Sequence, residues 1–118
     1  MNEKNLYEQF KGASKLINRV EIDSKKLTIF WTEEEKEIFY LSNLKKVALN
    51  TTDEGPFEPD IFWLLMFRIP IMVPSDELIP GSLKITDYML ELPNFDYDKF
   101  IEAMSSTEQQ AFELWERE

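Results

Sequence analysis

Residues 51–74, TTDEGPFEPDIFWLLMFRIPIMVP, decide the fold of this chain. The first part combines four carboxylates with Gly55 and two prolines, and the second part is apolar apart from Arg68 and its prolines. Glycine and proline supply turn geometry and disfavour a helix, so residues 53–60 are expected to form an exposed loop. The segment IFWLLMF that follows predicts a strand that is buried on both faces and central in a sheet. The short segment IMV after Pro70 predicts an edge strand, because proline cannot donate to a strand ladder.

Alternation of apolar and polar residues predicts four more strands before this loop. Their sequences are VEI, KLTIFWT, EIFYL and KKVALNTT, and charged turns at residues 23–25 and 33–35 separate the first three. We expect these four strands in meander order. Further upstream, apolar residues recur at helical spacing between Leu6 and Ile17, which predicts a short helix.

The composition after Pro74 is helical. Ser82 can cap a helix over residues 82–92, and Pro93 ends it. The tail STEQQAFELWE fits either a helix with a capping box or an alternating strand. We favour the strand.

A second helix is predicted over residues 97–104. Asp96 is a good N-cap residue for it. Phe95 before the cap and Phe100 four positions into the helix have the spacing of a hydrophobic staple.

These elements predict an α+β fold in one domain, residues 1–118, with a twisted antiparallel sheet of five to seven strands and the two helices covering one face. A pleckstrin-homology-like half-open barrel is one architecture that fits this order. Hydrophobic residues make up 43% of the chain and aromatic residues 14%, which is ample core material. Trp31, Phe62 and Trp63 lie in apolar strand patterns, and we expect them in the core.

Charge is unevenly distributed along the chain. Residues 1–50 hold nine Lys and Arg against eight Asp and Glu, whereas residues 51–118 hold four against fifteen. An acidic second half repels phosphate, so nucleic acid is not an expected partner. The same field attracts a basic protein and raises its rate of encounter. The alternative is that the net charge of −10 only keeps a monomer soluble.

The sequence predicts neither export nor a membrane anchor. Residues 1–18 mix charges every few positions and lack the apolar core of a signal peptide. The most apolar run, residues 61–73, is shorter than the roughly 20 residues of a membrane helix. Cys is absent, which suits a reducing compartment, and we expect a cytoplasmic protein. Both a monomer and a homo-oligomer are compatible with the sequence.

The absence of both His and Cys limits the available chemistry. It excludes imidazole and thiolate catalysis and the metal sites built on these side chains. The three glycines are isolated, so neither a P-loop nor a dinucleotide fingerprint is present. We therefore expect a noncatalytic protein with no cofactor, no metal and no catalytic residue. Carboxylates acting on a sugar or forming an all-oxygen metal site are the remaining catalytic possibility.

The candidate partner-binding residues are the loop carboxylates Asp53, Glu54, Glu58 and Asp60. Their spacing does not follow the pattern of a calcium-binding loop. A solvated loop is the simplest interpretation, contact with a partner is the second, and metal binding or catalysis is the third.

Four segments of the chain carry a resemblance. They are TTDEGPFEPDIFWLL, VPSDELIPGS, LPNFDYDKFIEAMSST and FELWER. In this order they resemble a group of small uncharacterised bacterial proteins, over roughly residues 20–117. The resemblance implies a strand-rich domain closed by helical segments and a short tail strand. The chain departs from the pattern at FRIPIMVP, where a more polar turn is expected.

Two functional hypotheses follow. The first is a noncatalytic protein-interaction module that acts through its acidic surface, with a toxin-neutralising immunity-type protein as one form of it. The second is a small-ligand or carbohydrate-acting protein that uses the loop carboxylates.

Overall fold

A computed structural model describes residues 16–52 and 61–118. The strands in these residues are β1 (Arg19–Ile22), β2 (Lys26–Phe30), β3 (Lys36–Tyr40), β4 (Lys46–Thr51), β5 (Ile61–Met66), β6 (Pro70–Pro74) and β7 (Gln110–Glu116). The helices are α1 (Leu83–Leu90) and α2 (Tyr97–Met104), and a 3₁₀ turn lies at Leu41–Asn43. The predicted α+β class is confirmed. The helix predicted upstream of β1 falls almost entirely outside the described residues.

The seven strands form two antiparallel sheets. One has the order β1-β2-β3, and the other has the order β6-β5-β4-β7. The meander therefore ends at β3, because β4 pairs with β5 and β7 instead. β5 is central and β6 lies at an edge, as predicted, and the β5–β6 hairpin forms at FRIPIMVP. Among the described strands there is no closed barrel.

The change of sheet occurs at the 3₁₀ turn after β3. Its first residue, Leu41, and the following Leu44 are both buried in the core. Arg117 holds this connection, since its Nε donates to the carbonyl of Leu44 at 2.8 Å and its Nη2 donates to that of Leu41 at 3.1 Å. Burial of two leucines thus directs the chain from the first sheet into the second.

The main core lies between the inner faces of the two sheets and the helices. Its members include Leu27, Ile29, Val47, Leu49, Trp63, Val73, Ile85, Met89, Phe95 and Phe112. The opposite face of the four-stranded sheet carries a second buried cluster: Ala48, Phe62, Leu64 and Met72. β5 is therefore buried on both faces, as its uninterrupted apolar sequence predicts.

Three aromatic side chains, Trp31, Phe62 and Trp63, are expected in the core, and two of them are fully buried. Phe62 and Trp63 have no exposed surface. Trp31 is half-buried at the margin of the core, where its Nε1 donates to Oε1 of Glu37 at 2.8 Å.

The start of α2 follows the prediction. The Asp96 side chain accepts a hydrogen bond from the Lys99 amide at 3.0 Å, which is an N-cap. The rings of Phe95 and Phe100 lie 5.9 Å apart in an edge-on arrangement, which forms the staple.

The predicted cap of α1 is wrong in its mechanism. Ser82 stands at the N-cap position but makes no side-chain bond to the helix. Its hydroxyl donates instead to the carbonyl of Pro74 and accepts from the Asp76 amide at 3.0 Å. Ser82 therefore links the end of the loop between β6 and α1 to the start of the same loop.

That loop also contacts β1 through its backbone. The Val20 amide donates to the carbonyl of Pro80 at 2.9 Å. Gly81 follows with φ of 86°, in the left-handed region that favours glycine. A Cβ at Gly81 would lie 1.9 Å from the Val20 carbonyl oxygen, so the loop and the strand approach too closely for any other residue.

The tail forms β7, which confirms the favoured interpretation. Its pairing with β4 contains a bulge, since Ala48 faces Glu113 whereas Val47 faces Trp115. The extra residue is Leu114. Because of this shift, Phe112 and Trp115 both join the main core despite their odd spacing.

Candidate functional site

The four predicted partner-binding residues lie outside the described residues. They are Asp53, Glu54, Glu58 and Asp60, and their role stays a prediction. The residues that flank them in the chain are described. Thr51 on β4 faces Ile61 on β5 and Gln110 on β7. Thr51 and Ile61, the described strand residues on either side of this gap, therefore lie at one end of the four-stranded sheet.

The end of α2 is attached to the same end of this sheet. The Thr51 hydroxyl donates to the carbonyl of Glu108 at 2.5 Å and lies 3.4 Å from the Ser106 hydroxyl. The Ser106 amide in turn donates to the carbonyl of Ala103, in the last turn of α2. Thr51 thus joins β4 to the segment that follows α2.

The outer face of α2 carries an exposed apolar stripe. Tyr97, Ile101 and Met104 are 52%, 64% and 54% exposed. At about 3.6 residues per turn, spacings of four and three place these side chains within about 60° of the helix circumference. Phe100 and Ala103 occupy the side of the helix that packs on the core. The helix is therefore apolar on two sides, and only one of them is covered within the described residues.

Carboxylates border the stripe. Asp98 and Glu102 are exposed on the neighbouring side of the helix. Residues 83–108 hold six Asp and Glu against two Lys. An apolar surface with an acidic border is complementary to a basic partner that presents apolar side chains.

Tyr97 is fixed in place although half of it is exposed. Its hydroxyl donates to the carbonyl of Leu90 at the end of α1. Its ring packs edge-on against Phe95, with centroids 5.2 Å apart. A side chain held at both ends loses little conformational entropy when a partner covers it.

The spacing of the stripe residues is visible in the sequence, but there it predicts a buried helix face and not an exposed one. Apolar residues at intervals of four and three normally mark the buried face of a helix. The staple of Phe95 and Phe100 already accounts for the buried face, so Tyr97, Ile101 and Met104 are a second, unexplained apolar set. This second apolar set is the signal in the sequence that could have indicated an exposed apolar surface on the helix.

A second exposed apolar region lies between β3 and the β5–β6 turn. It is a groove of about 410 Å³, lined by Ile38, Phe39, Tyr40, Asn43, Phe67, Arg68 and Ile69. The rings of Phe39 and Phe67 lie 5.2 Å apart and hold the turn beside the strand.

Two further cavities are smaller than this groove. One, of about 370 Å³, lies between β1, β2 and Lys84. The other, of about 170 Å³, is lined by Asn50, Gln109, Gln110 and Ala111. Asn50 is buried, and its Oδ1 has no hydrogen-bond partner within the described part of the chain.

Backbone amides hold the carboxylate of Asp23 in the turn between β1 and β2. The backbone amides of Lys25 and Lys26 donate to the Asp23 carboxylate at 2.8 and 2.9 Å, which lowers the pKa of Asp23. Across residues 16–52 and 61–118, no cluster of three or more acidic side chains has the arrangement of a metal site. None of the described helices is long and apolar enough to cross a membrane.

Comparison of the chain with protein-family models, with curated proteins and with solved structures finds no match in any of the three.

Proposed function

We propose that this protein is a noncatalytic interaction module that binds a basic protein partner through the exposed face of α2. The exposed stripe of Tyr97, Ile101 and Met104 is the observation that carries the proposal. The acidic border of the stripe sets the charge of the partner.

Burial of the stripe supplies the affinity. Complete burial of one side chain of this size is worth about 1.5–3 kcal/mol. Each member is already about half covered, so a partner that covers all three gains on the order of 2–4 kcal/mol before the costs of association. Tyr97 is the expected centre, because tyrosines that are fixed before binding are frequent energetic centres of interfaces.

The acidic border acts at longer range. Asp98 and Glu102 lie beside the stripe, and Thr51, which shortly precedes residues 53–60 in the sequence, donates a hydrogen bond to the segment that follows the same helix. Exposed carboxylates accelerate encounter with a basic surface, and salt screens this effect. The loop carboxylates Asp53, Glu54, Glu58 and Asp60 belong to the proposal in this steering role.

A toxin-neutralising immunity-type role is the finer form of the proposal. Small size and one-sided acidic charge support it. The alternative, action on a small ligand or a carbohydrate, depends on the same loop carboxylates and stays a prediction.

The test compares three proteins captured from native cells with their bound partners. They are the wild type, a stripe variant (Ile101→Ser with Met104→Ser) and a control (Leu78→Ser with Leu83→Ser). Leu78 and Leu83 are also exposed, at 83% and 50%, but lie before and at the start of α1. We expect one stoichiometric basic protein with the wild type and the control, and its loss from the stripe variant.

The purified partner then tests the steering role. Replacement of the four loop carboxylates by Asn or Gln should slow association at low ionic strength and have little effect at high ionic strength. It should leave the melting temperature nearly unchanged, because exposed charges contribute little to stability. A partner that binds the stripe variant as tightly as the wild type would refute the assignment of α2. Suppression of a toxic activity of the partner by the wild type alone would establish the immunity-type form.

A further inference from the structure

β3 is an edge strand whose outer side has no partner among the described residues. It pairs with β2 alone. The Trp31 amide donates to the Glu35 carbonyl and the Leu41 amide donates to the Lys25 carbonyl, both at 2.9 Å. Backbone groups alternate in an antiparallel pair, so Lys36 and Ile38 between these two points direct their N–H and C=O groups away from β2.

The other sheet edges are obstructed. The outer side of β1 is bonded to the loop before α1, through the Val20 amide and the Pro80 carbonyl. β6 begins and ends with proline. On β7, the Leu114 carbonyl accepts from the Asp96 amide at 2.9 Å. Proteins commonly block edges in this way to prevent unwanted pairing, and β3 lacks such a block in the described ranges.

The surface beside this edge is apolar. Ile38, Tyr40 and Ile69 are 41%, 56% and 53% exposed, and all three line the groove of about 410 Å³. A strand added to β3 would lie along this groove and cover part of these side chains. The open edge and the groove therefore accept the same extended segment.

The sequence of β3 is complementary to itself. With Ile38 opposite Ile38 of a second copy, Lys36 faces Tyr40 and Glu37 faces Phe39. No like charges are opposed in this antiparallel register. Two-fold pairing of this kind is closed, so it stops at a dimer.

The flanking charges also match in this register. Beyond Lys36 the second copy continues into its turn of Glu33, Glu34 and Glu35, which passes the Tyr40 end of the first copy. Arg68 lies at that end, in the groove with Tyr40. Each copy therefore brings three carboxylates towards the arginine of the other.

We propose that two copies of this chain associate through their β3 edges, with Ile38 at the centre and Arg68 facing the acidic turn of the other copy. The two copies then form one six-stranded sheet. The paired strand is only five residues long, so the interface is small and the dimer is weak and depends on concentration.

The experiment measures the mass of the full chain by sedimentation at about 10 μM to 1 mM, the range in which a weak dimer is populated. We expect a dimer at the upper end, and its loss in Ile38→Lys. Leu78→Lys is the control, an exposed apolar residue in the loop before α1 that lies outside both the stripe and the groove, and it should dimerise like the wild type. A monomer at every concentration would overturn the proposal, as would equal effects of the two lysine variants.

A charge exchange tests the register and avoids any change to the strand. Arg68→Glu alone, and Glu34→Lys with Glu35→Lys, should each weaken the dimer by roughly tenfold, because two symmetric contacts turn from attraction to repulsion. The two changes combined should restore it. A combined variant that dimerises no better than either parent would refute the contact between Arg68 and the acidic turn of the other copy.

Discussion

Replacement of Gly81 by alanine tests the closest backbone approach in the described fold. The added Cβ would lie 1.9 Å from the Val20 carbonyl oxygen and 3.0 Å from its carbon. Cβ atoms in proteins do not approach within 3.0 Å, so the loop must move away from β1 by about 1 Å. Because the obstacle is backbone, no side-chain rotation relieves it.

The stability lost in Gly81→Ala has two sources. A non-glycine residue in the left-handed region costs about 1–2 kcal/mol. Separation of the loop from β1 breaks the bond between the Val20 amide and the Pro80 carbonyl, and a buried donor without a partner costs about 1–3 kcal/mol. We therefore expect Gly81→Ala to lower the free energy of unfolding by about 2–5 kcal/mol, a large share of the roughly 5–15 kcal/mol typical of a domain.

Urea titration followed by tryptophan fluorescence measures this loss. Leu78→Ala is the control in the same loop, because its side chain is 83% exposed and its removal should change stability by less than about 0.5 kcal/mol. Gly81→Asn separates the two sources, since asparagine tolerates the left-handed region but still carries a Cβ. A loss below about 1 kcal/mol in Gly81→Ala, or a stable Gly81→Asn protein, would refute the close approach.

Two further predictions concern the core and the first turn. Phe62→Ala and Trp63→Ala should each cost about 3–5 kcal/mol in urea titration, because both side chains are fully buried, and a loss below about 1 kcal/mol in both would contradict the position of β5. Asp23 has a lowered pKa in the folded protein, so its carboxylate stabilises the fold at neutral pH and this contribution is lost as the pH falls below roughly 4. The stability difference between the wild type and Asp23→Asn should accordingly shrink in acid, and a difference that is constant with pH would argue against the amide bonds to Asp23.

Local signals in the sequence predicted the elements well. The cap and staple of α2 depend on residues within five positions of each other, so they can be read directly from Phe95, Asp96 and Phe100. The uninterrupted apolar sequence of β5 correctly indicated a strand buried on both faces. In both cases the informative pattern lies within one short segment of the chain.

Features that depend on distant segments were not predictable in the same way. The hydroxyl of Ser82 is engaged by Pro74 and Asp76 because the loop folds back, and the helix-cap pattern carries no information about this. The inward position of Trp115 depends on a bulge against β4, which alternation along β7 alone does not reveal.

The candidate site was less predictable than the fold. The acidic character of the second half pointed to a basic partner, but only the packing of α2 shows which of its apolar sets is exposed. Tyr97, Ile101 and Met104 satisfy the pattern of a buried face equally well. The lack of a second partner for β3 among residues 16–52 and 61–118 likewise follows from the break at the 3₁₀ turn, where the sequence pattern predicted a continuing meander.

The pairing of β4 with β7 has a consequence for how the molecule reaches this fold. Val47 and Leu49 meet Trp115 and Phe112, partners more than 60 residues further along the chain. At a synthesis rate of about 5–20 residues per second, β7 is synthesised about 3–14 seconds after β4, and one side of β4 has no partner strand until then. Contacts so far apart along the chain also slow spontaneous folding, because a long loop must close before they form. The pairing of these two strands is therefore expected to be a late step, and until it occurs Val47 and Leu49 lack part of their cover and are open to chaperones or to misassembly.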